Sequence, residues 1–246
     1  MKLRLIALLL LLLLALTACT QTVAPPTTEA TARPKPTEAT EAVTTTEATE
    51  EVTEDTTEET ESVTEAASEV DLGTVDGTTY ENETLGITCD FPDGWYIYNE
   101  TDLASLNNFM TTVNKNDALA NAIENGQTVV TFCASYPATV ASVNLTVSKA
   151  TMPGMSEDAL ISLILPYLKD QMEQTGVLQN VACSTAEVTF CGQKHTAVKV
   201  SAESYGMQLY ETILYLPGGD YLYNLTVSAT SEAEGAEILS LFEAIK

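Results

Sequence analysis

Beyond residue 80, apolar and polar side chains alternate along several short runs, and this period of two predicts β-strands. In residues 87–91, Ile, Cys and Phe alternate with Thr and Asp, which predicts a half-buried strand in an opening hairpin. A Pro-Asp-Gly turn at residues 92–94 follows, and residues 95–98 restart a strand. Residues 128–135 and 142–149 are also rich in β-forming side chains.

Two short segments between these strands carry helix signals. Thr101 and Asp102 can cap a helix that runs through Phe109. Residues 117–125 form a second short helical pattern, which Gly126 ends.

A longer helix is predicted to open at Ser156 and to end at Gly176. Its apolar residues recur at helical spacing on one face, namely Leu160, Ile164, Tyr167, Leu168 and Met172. Pro166 lies inside this pattern and is predicted to kink or split the helix.

Four β-rich runs follow, separated by glycine-containing turns, and they predict an antiparallel meander over residues 177–190, 194–202, 207–216 and 221–228. A capping box from Ser231 to Glu234 then opens a last helix. Its predicted buried stripe is Ile238, Leu241, Phe242 and Ile245. This order of elements predicts an α+β fold, an antiparallel β-sheet flanked by helices.

The start of the chain has a different pattern. Lys2 and Arg4 precede an apolar run over residues 5–16, and a Leu-Thr-Ala-Cys sequence then ends at Cys19. A cationic start, a short apolar core and small residues are typical of a secretory signal peptide, whereas a bilayer-spanning helix needs about 20 apolar residues. The cysteine resembles that of the bacterial lipobox, whose thiol receives a diacylglycerol. We expect residues 1–18 to be cleaved and Cys19 to anchor the protein to the extracytoplasmic face of the cell membrane.

Residues 19–71 are predicted to form a disordered tether. They are almost entirely Thr, Glu, Ala, Val and Pro, contain no aromatic residue, and have Arg33 and Lys35 as their only cations. The whole chain has a formal net charge of -25, which makes binding to nucleic acid unfavourable. We therefore expect a signal peptide (1–18), a lipidated tether (19–71) and one folded domain (72–246).

Two motifs near the start of the folded region carry a family resemblance. Residues 80–87 (YENETLGI) and 91–95 (FPDGW) look like the opening of PsbP-like domains, and the later elements fit from about residue 75 to the end. With the lipobox and tether, the chain resembles uncharacterised PsbP-like (DcrB-like) lipoproteins of Firmicutes. The resemblance implies an α/β/α sandwich and binding to proteins rather than catalysis. It assigns no functional residue to a position here.

The predicted domain contains four cysteines, Cys89, Cys133, Cys183 and Cys191. None forms a Cys-x-x-Cys pair, which argues against a zinc ribbon or a thioredoxin-like site. An exported protein can form disulfides, and four cysteines allow three pairings. A Cys183–Cys191 bridge is disfavoured because a strand joining them would separate them by roughly 26 Å. We expect free thiols, and a Cys89–Cys133 bridge is one of the alternatives that stay open.

No catalytic or cofactor motif is found in the sequence. His195, the only histidine, lies in an alternating strand and is expected on its wetter face, without the signature of a nucleophilic serine. Residues 114–117 resemble a fragment of a calcium loop but lack its glycine and distant glutamate, so a solvated loop is expected. We therefore expect no enzyme activity, no cofactor and no metal site.

Aromatic residues suggest two further sites. Trp95, Tyr96 and Tyr98 could form a ligand platform, although Trp95 is better explained as a core anchor. The meander is rich in tyrosine, which is favoured at protein interfaces, so a weak interface is predicted at Tyr210, Tyr215, Tyr221 and Tyr223.

Two functions follow from the sequence. The leading hypothesis is a non-catalytic adaptor or accessory subunit that binds other envelope proteins. The alternative is a lipoprotein that captures a small ligand or solute, which requires a formed pocket with aromatic and polar walls. An envelope enzyme is disfavoured.

Overall fold

The computed structural model describes residues 69–108 and 115–246. The predicted signal peptide, Cys19 and nearly all of the predicted tether lie outside these residues. No helix in the described ranges is both long enough and apolar enough to cross a membrane.

The described residues form an α+β fold, as the sequence predicts. The strands are β1 (Thr74–Asp76), β2 (Thr79–Asn82), β3 (Ile87–Asp90), β4 (Tyr96–Ile97), β5 (Val129–Ser135), β6 (Ser142–Lys149), β7 (Leu178–Phe190), β8 (Gln193–Ser204), β9 (Met207–Gly218), β10 (Tyr221–Ala229) and β11 (Phe242–Ala244). The helices are α1 (Glu100–Leu106), α2 (Lys115–Glu124), α3 (Glu157–Gln174) and α4 (Glu232–Leu239).

The strands divide into two antiparallel sheets where the sequence predicts one. The large sheet has the order β4-β5-β6-β10-β9-β8-β7, and the small sheet has the order β1-β2-β3-β11. The predicted meander from β7 to β10 is confirmed. Two of its turns have positive φ at both central residues, Cys191-Gly192 and Tyr205-Gly206, which is the geometry of type I′ hairpins.

Both faces of the large sheet are covered. Leu214 and Leu216 of β9 pack into the same cluster as α2, α4 and the small sheet. Ile213 and Tyr215, which alternate with these leucines along β9, pack into a second cluster with α3. Because successive side chains of a strand point to opposite faces, the sheet is sandwiched between the two clusters.

The last predicted helix ends earlier than the sequence suggests. Helix α4 ends at Leu239, and Phe242 lies in strand β11, paired with Cys89 of β3. The predicted stripe is therefore wrong at Ile245, which is 41% exposed. Within β11, Phe242 is buried, whereas Glu243 and Ala244 are exposed.

Helix α3 departs from the prediction in two ways. Tyr167 is 54% exposed, whereas Ile161, absent from the predicted stripe, is buried. The helix also continues through Pro166. Pro166 removes the hydrogen bond to the carbonyl of Ser162, and both residues are exposed to water, which can solvate that carbonyl.

The cap of α1 lies earlier in the chain than predicted, whereas Ser231 caps α4 as predicted. Helix α1 is capped by Asn99, whose side chain accepts from the backbone of Thr101 and Asp102, and it ends at Leu106. At α4, Ser231 accepts from the backbone of Glu234 as predicted. The Glu234 carboxylate, however, accepts from the backbone N–H of Thr230.

The folded domain includes two residues that the predicted boundary assigns to the tether. Val70 is buried in the main cluster. The Asp71 carboxylate accepts from the backbone N–H groups of Gly73 and Thr84, at 2.8 and 2.9 Å. Its carbonyl accepts from the Tyr223 hydroxyl at 3.0 Å.

Candidate functional site

A cavity of about 520 Å³ lies where β1, the end of β4, α1 and α2 meet. Its apolar walls include Leu72, Ile97, Leu103 and Leu119. Its polar walls include Thr74, Asn99, Asn116 and Thr131. Small-molecule sites have volumes of about 300–1,000 Å³ with mostly apolar walls and a few polar groups, so this cavity has the size and chemistry of a ligand site.

Among the described residues, Tyr98 is the aromatic residue that lines this cavity. Its backbone N–H donates to the carbonyl of Cys133 at 2.9 Å, which fixes the chain beyond β4 against β5. The residue is 9% exposed and packs with Leu106, Val130 and Cys133. Burial raises the pKa of the Tyr98 hydroxyl, so the group stays neutral at physiological pH.

The other two residues of the predicted aromatic platform lie elsewhere. Trp95 packs against Phe91 and Tyr136, with ring centroids 5.0 and 6.0 Å apart, so it anchors the core as expected. Tyr96 is 45% exposed, and its hydroxyl donates to Asp102 at 2.7 Å.

Helix α1 is held beside the cavity by an asparagine that the sequence analysis does not identify. The Asn107 side chain donates to the carbonyl of Val130 and accepts from its N–H, both at 2.8 Å. This pair of bonds replaces a neighbouring strand at the open edge of β5. An Asn just after a short helix is a common cap, so its sequence context gives no sign of this bridge.

Three of the four tyrosines predicted to form an interface are buried. Tyr215, Tyr221 and Tyr223 are 9%, 5% and 0% exposed, and Tyr210 is partly exposed. The Tyr221 hydroxyl donates to Glu124 of α2 at 2.6 Å. Tyrosine is enriched in strands as well as at interfaces, so the sequence pattern does not separate the two roles. Of this set, Tyr210 alone is available to a partner in the described fold.

His195 is less exposed than predicted. Its Nδ1 lies 2.8 Å from Glu157 Oε1, its ring centroid lies 5.9 Å from that of Phe190, and its side chain is 15% exposed. The contact joins β8 to the first turn of α3. His195 therefore has a structural role, because it links these two elements.

Glu211 on β9 is a buried carboxyl that the sequence analysis does not identify. It is 2% exposed, Ser228 donates to its Oε1 at 3.4 Å, and its Oε2 has no hydrogen-bond partner. Burial raises its pKa to about 7. Its position between apolar residues of a central strand is the sequence signal that could have identified it.

The structure separates Cys89 from Cys133, which contradicts a bridge between them. Cys89 packs in the main cluster with Phe132, whereas Cys133 packs in the α1 cluster. Phe132 and Cys133 are consecutive in β5, so their side chains point to opposite faces of the sheet. All four described cysteines are free thiols.

The described part of the chain has no group of three His, Cys, Asp or Glu residues that could hold a metal ion. Asn116 and Asp117, which the sequence analysis places in a solvated loop, lie in the first turn of α2.

No family model and no curated protein matches the chain. It is similar to the solution structure of cyanobacterial PsbP from Synechocystis sp. PCC 6803, with 12% identity, a TM-score of 0.42, and coverage of 68% of this chain and 91% of that one. It is also similar to a crystal structure from Bacteroides thetaiotaomicron VPI-5482, with 12% identity, a TM-score of 0.38, and coverage of 70% and 50%. A third is LpqN of Mycobacterium tuberculosis, described as involved in cell envelope biogenesis, with 12% identity, a TM-score of 0.35, and coverage of 64% and 82%. Membership of the PsbP-like family stays a prediction.

Proposed function

We propose that the chain is a non-catalytic binding protein, anchored by lipid on Cys19 at the extracytoplasmic face of the membrane, whose folded domain captures a small ligand. The observation that carries the ligand role is the cavity of about 520 Å³ between α1, α2 and β1. Tyr98 supplies its aromatic wall, and Asn99, Asn116 and Thr131 supply polar groups. These are the features that the ligand-capture alternative requires.

The anchor part of the proposal rests on the sequence alone. The lipobox-like residues up to Cys19 predict a diacylated N-terminus, and two acyl chains hold a protein stably at a membrane. Mass analysis of the N-terminal peptide from the membrane fraction tests it. Recovery of Cys19 without lipid, or in a peptide that still contains residue 18, would contradict the anchor.

The ligand role is tested by a thermal-shift screen of small molecules on the full chain in detergent micelles. A ligand present at 100 times its Kd stabilises the folded state by about 2.7 kcal/mol, which raises Tm by about 5 °C or more. Ala118, on the cavity side of α2, offers a blocking variant. We expect Ala118→Trp to fill the cavity and to abolish the shift.

Ala159 provides the matched control, because it is an exposed alanine on α3 that does not line the cavity. Ala159→Trp should keep the ligand-induced shift. A ligand that stabilises the Ala118→Trp variant as strongly as the parent would place binding elsewhere.

The non-catalytic part of the proposal has its own test. It would be overturned by an enzymatic turnover that His195→Ala abolishes.

The adaptor role is the second candidate, and one surface favours it. Leu163 and Tyr167 of α3 are 49% and 54% exposed and lie one turn apart, with exposed Pro166 between them. We call this surface the α3 ridge. A protein partner in the envelope suits this surface, because aromatic residues such as Tyr167 are favoured at protein interfaces.

Crosslinking in native membranes distinguishes the two roles. A photo-crosslinker placed at Asp170, an exposed neighbour of the α3 ridge, should capture one protein saturably if the chain is an adaptor. The double variant Leu163→Gln with Tyr167→Gln should lose that product. Tyr205→Gln, which changes an exposed tyrosine on another element, should keep it. A product that survives the double variant would contradict an adaptor surface on α3.

A further inference from the structure

The turn between β7 and β8 bends towards the small sheet. Strand β8 pairs with β9 over Val198–Ser204, whereas its residues from Gln193 to Ala197 are registered with β7 alone. The end of this hairpin therefore leaves the large sheet as a two-stranded ribbon. Phe190, at its end, packs against Phe242 of β11 with ring centroids 5.6 Å apart.

Two cysteines lie on the two sides of this contact. Cys191 follows Phe190 directly, and Cys89 is the cross-strand partner of Phe242. Cys89 is 1% exposed inside the main cluster, and the partly buried Cys191 packs against the same cluster. The two thiols also interact electrostatically. Burial, and then the neighbouring Asp90 and Cys191, raises the pKa of the Cys89 thiol to about 12.

The backbone at Cys191 adopts a conformation that is uncommon for residues other than glycine. Its φ is 50°, in the left-handed region, at a type I′ turn position that favours Asn, Asp or Gly. A cysteine gains no conformational advantage there. Tyr205 has a φ of 51° at the equivalent position of the β8–β9 turn, so this conformation is set by the turn type.

We propose that Cys89 and Cys191 are a redox pair that forms a disulfide when the protein meets a small disulfide oxidant such as oxidised glutathione. The bond fastens the β7–β8 hairpin to β3 of the small sheet. It requires that the turn close onto β3, the strand that pairs with β11, against which Phe190 already packs.

The exchange proceeds in two balanced steps. The more exposed Cys191 thiolate attacks one sulfur of oxidised glutathione and releases one glutathione thiolate, which leaves a mixed disulfide. The Cys89 thiolate then attacks Cys191 Sγ and releases the second glutathione thiolate. The two protons lost by the cysteines go to the two released thiolates, so the protein is oxidised by two electrons and the oxidant is reduced by two.

The test uses the full chain in detergent micelles, first reduced and then incubated with oxidised glutathione. After unfolding and alkylation, peptide mapping should recover a linked pair that contains Cys89 and Cys191, with Cys133 and Cys183 alkylated. Burial, and then Glu243, raises the pKa of Cys191 to about 11, so the rate of oxidation should rise about tenfold per pH unit below that value.

Thermal unfolding gives an independent readout. Closing a loop of about 100 residues should raise the Tm of the oxidised protein by about 5–10 °C over the reduced one. Cys191→Asn, which suits the turn, should fold, form no link and show no such difference. Cys183→Ser should behave as the parent does. A different linked pair, or Cys89 and Cys191 both alkylated after oxidation of the folded protein, would overturn the proposal.

Discussion

At the scale of single residues, a few polar side chains inside the fold have structural roles that the sequence does not reveal. Asn107 satisfies two backbone groups of Val130 that have no strand partner, and it does so from a helix end 23 residues earlier in the chain. Glu211 places a carboxyl in a buried sheet face. Both residues look like ordinary polar positions because their neighbours in space are distant in sequence.

Asn107→Ala should destabilise the domain by about 2 kcal/mol, because it leaves the N–H and carbonyl of Val130 without partners in a partly buried position. Urea unfolding of the full chain measures the difference. Asn125→Ala is the matched control, since its side chain makes one exposed bond to its own helix, and it should cost less than about 0.5 kcal/mol. Equal costs for the two variants would contradict the bridging role.

Glu211 should make stability fall as pH rises. Its folded pKa of about 7 lies above its ordinary value of 4.5, so between these values the folded state holds a proton that the unfolded state has lost. Stability from this group is complete below pH 4.5 and is lost progressively up to about pH 7, by about 3 kcal/mol in all.

Glu211→Gln removes the titrating carboxyl and should therefore stabilise the protein at pH 8 more than at pH 5, by a difference of about 2–3 kcal/mol. Denaturant unfolding at the two values of pH checks this. Glu203→Gln on β8 changes an exposed glutamate and should show no such difference. If Glu211→Gln changes stability equally at pH 5 and pH 8, the Glu211 carboxyl is ionised in the folded state at both values of pH.

At the scale of elements, periodicity predicts the existence and type of most strands and helices, and it fails at the last strand. Phe242 and Ile245 fit the apolar stripe of a helix, yet Phe242 lies in β11 because pairing with β3 buries it. The meander was predictable because its strands are adjacent in sequence and its turns contain glycine. The pairing of β3 with β11 was not, because nothing local specifies it.

Turn chemistry gives a prediction for the β8–β9 hairpin. Tyr205 has a φ of 51° and is 60% exposed, so it adopts a left-handed conformation with little packing in return. Tyr205→Asn should raise the free energy of unfolding by about 0.5–1 kcal/mol, because Asn tolerates this region. Tyr205→Val should lower it, because a β-branched residue does not. A loss of stability in the Asn variant, measured by urea unfolding, would show that the ring makes a contribution of its own.

At the scale of the whole molecule, Asp71 and the buried Val70 fasten the start of the domain to its centre. Asp71 binds Gly73 and Thr84 through its carboxylate and Tyr223 of β10 through its carbonyl. Composition places the boundary at residue 72 because the acidic side chain resembles those of the preceding Thr/Glu-rich segment. Its contacts with residues far along the chain place it in the fold.

Asp71→Ala should therefore loosen the junction, because the N–H groups of Gly73 and Thr84 lose their acceptor. We expect a loss of about 1–2 kcal/mol in unfolding free energy and faster proteolysis near residues 69–75. Asp76→Ala, on the exposed strand β1, is the control and should leave both measurements unchanged. Unaltered proteolysis in Asp71→Ala would show that Val70 holds the junction without it.

The pairing of β3 with β11 also has a consequence for the order of folding. Cys89 meets Phe242 across a separation of about 150 residues, so the small sheet closes only through a contact of very high sequence separation. A chain that emerges from its N-terminus can form the β2–β3 hairpin early, but that hairpin keeps an open edge until residue 242 arrives. During that interval the edge of β3 is the place where a chaperone, or a neighbouring unfolded chain, would compete with the native strand.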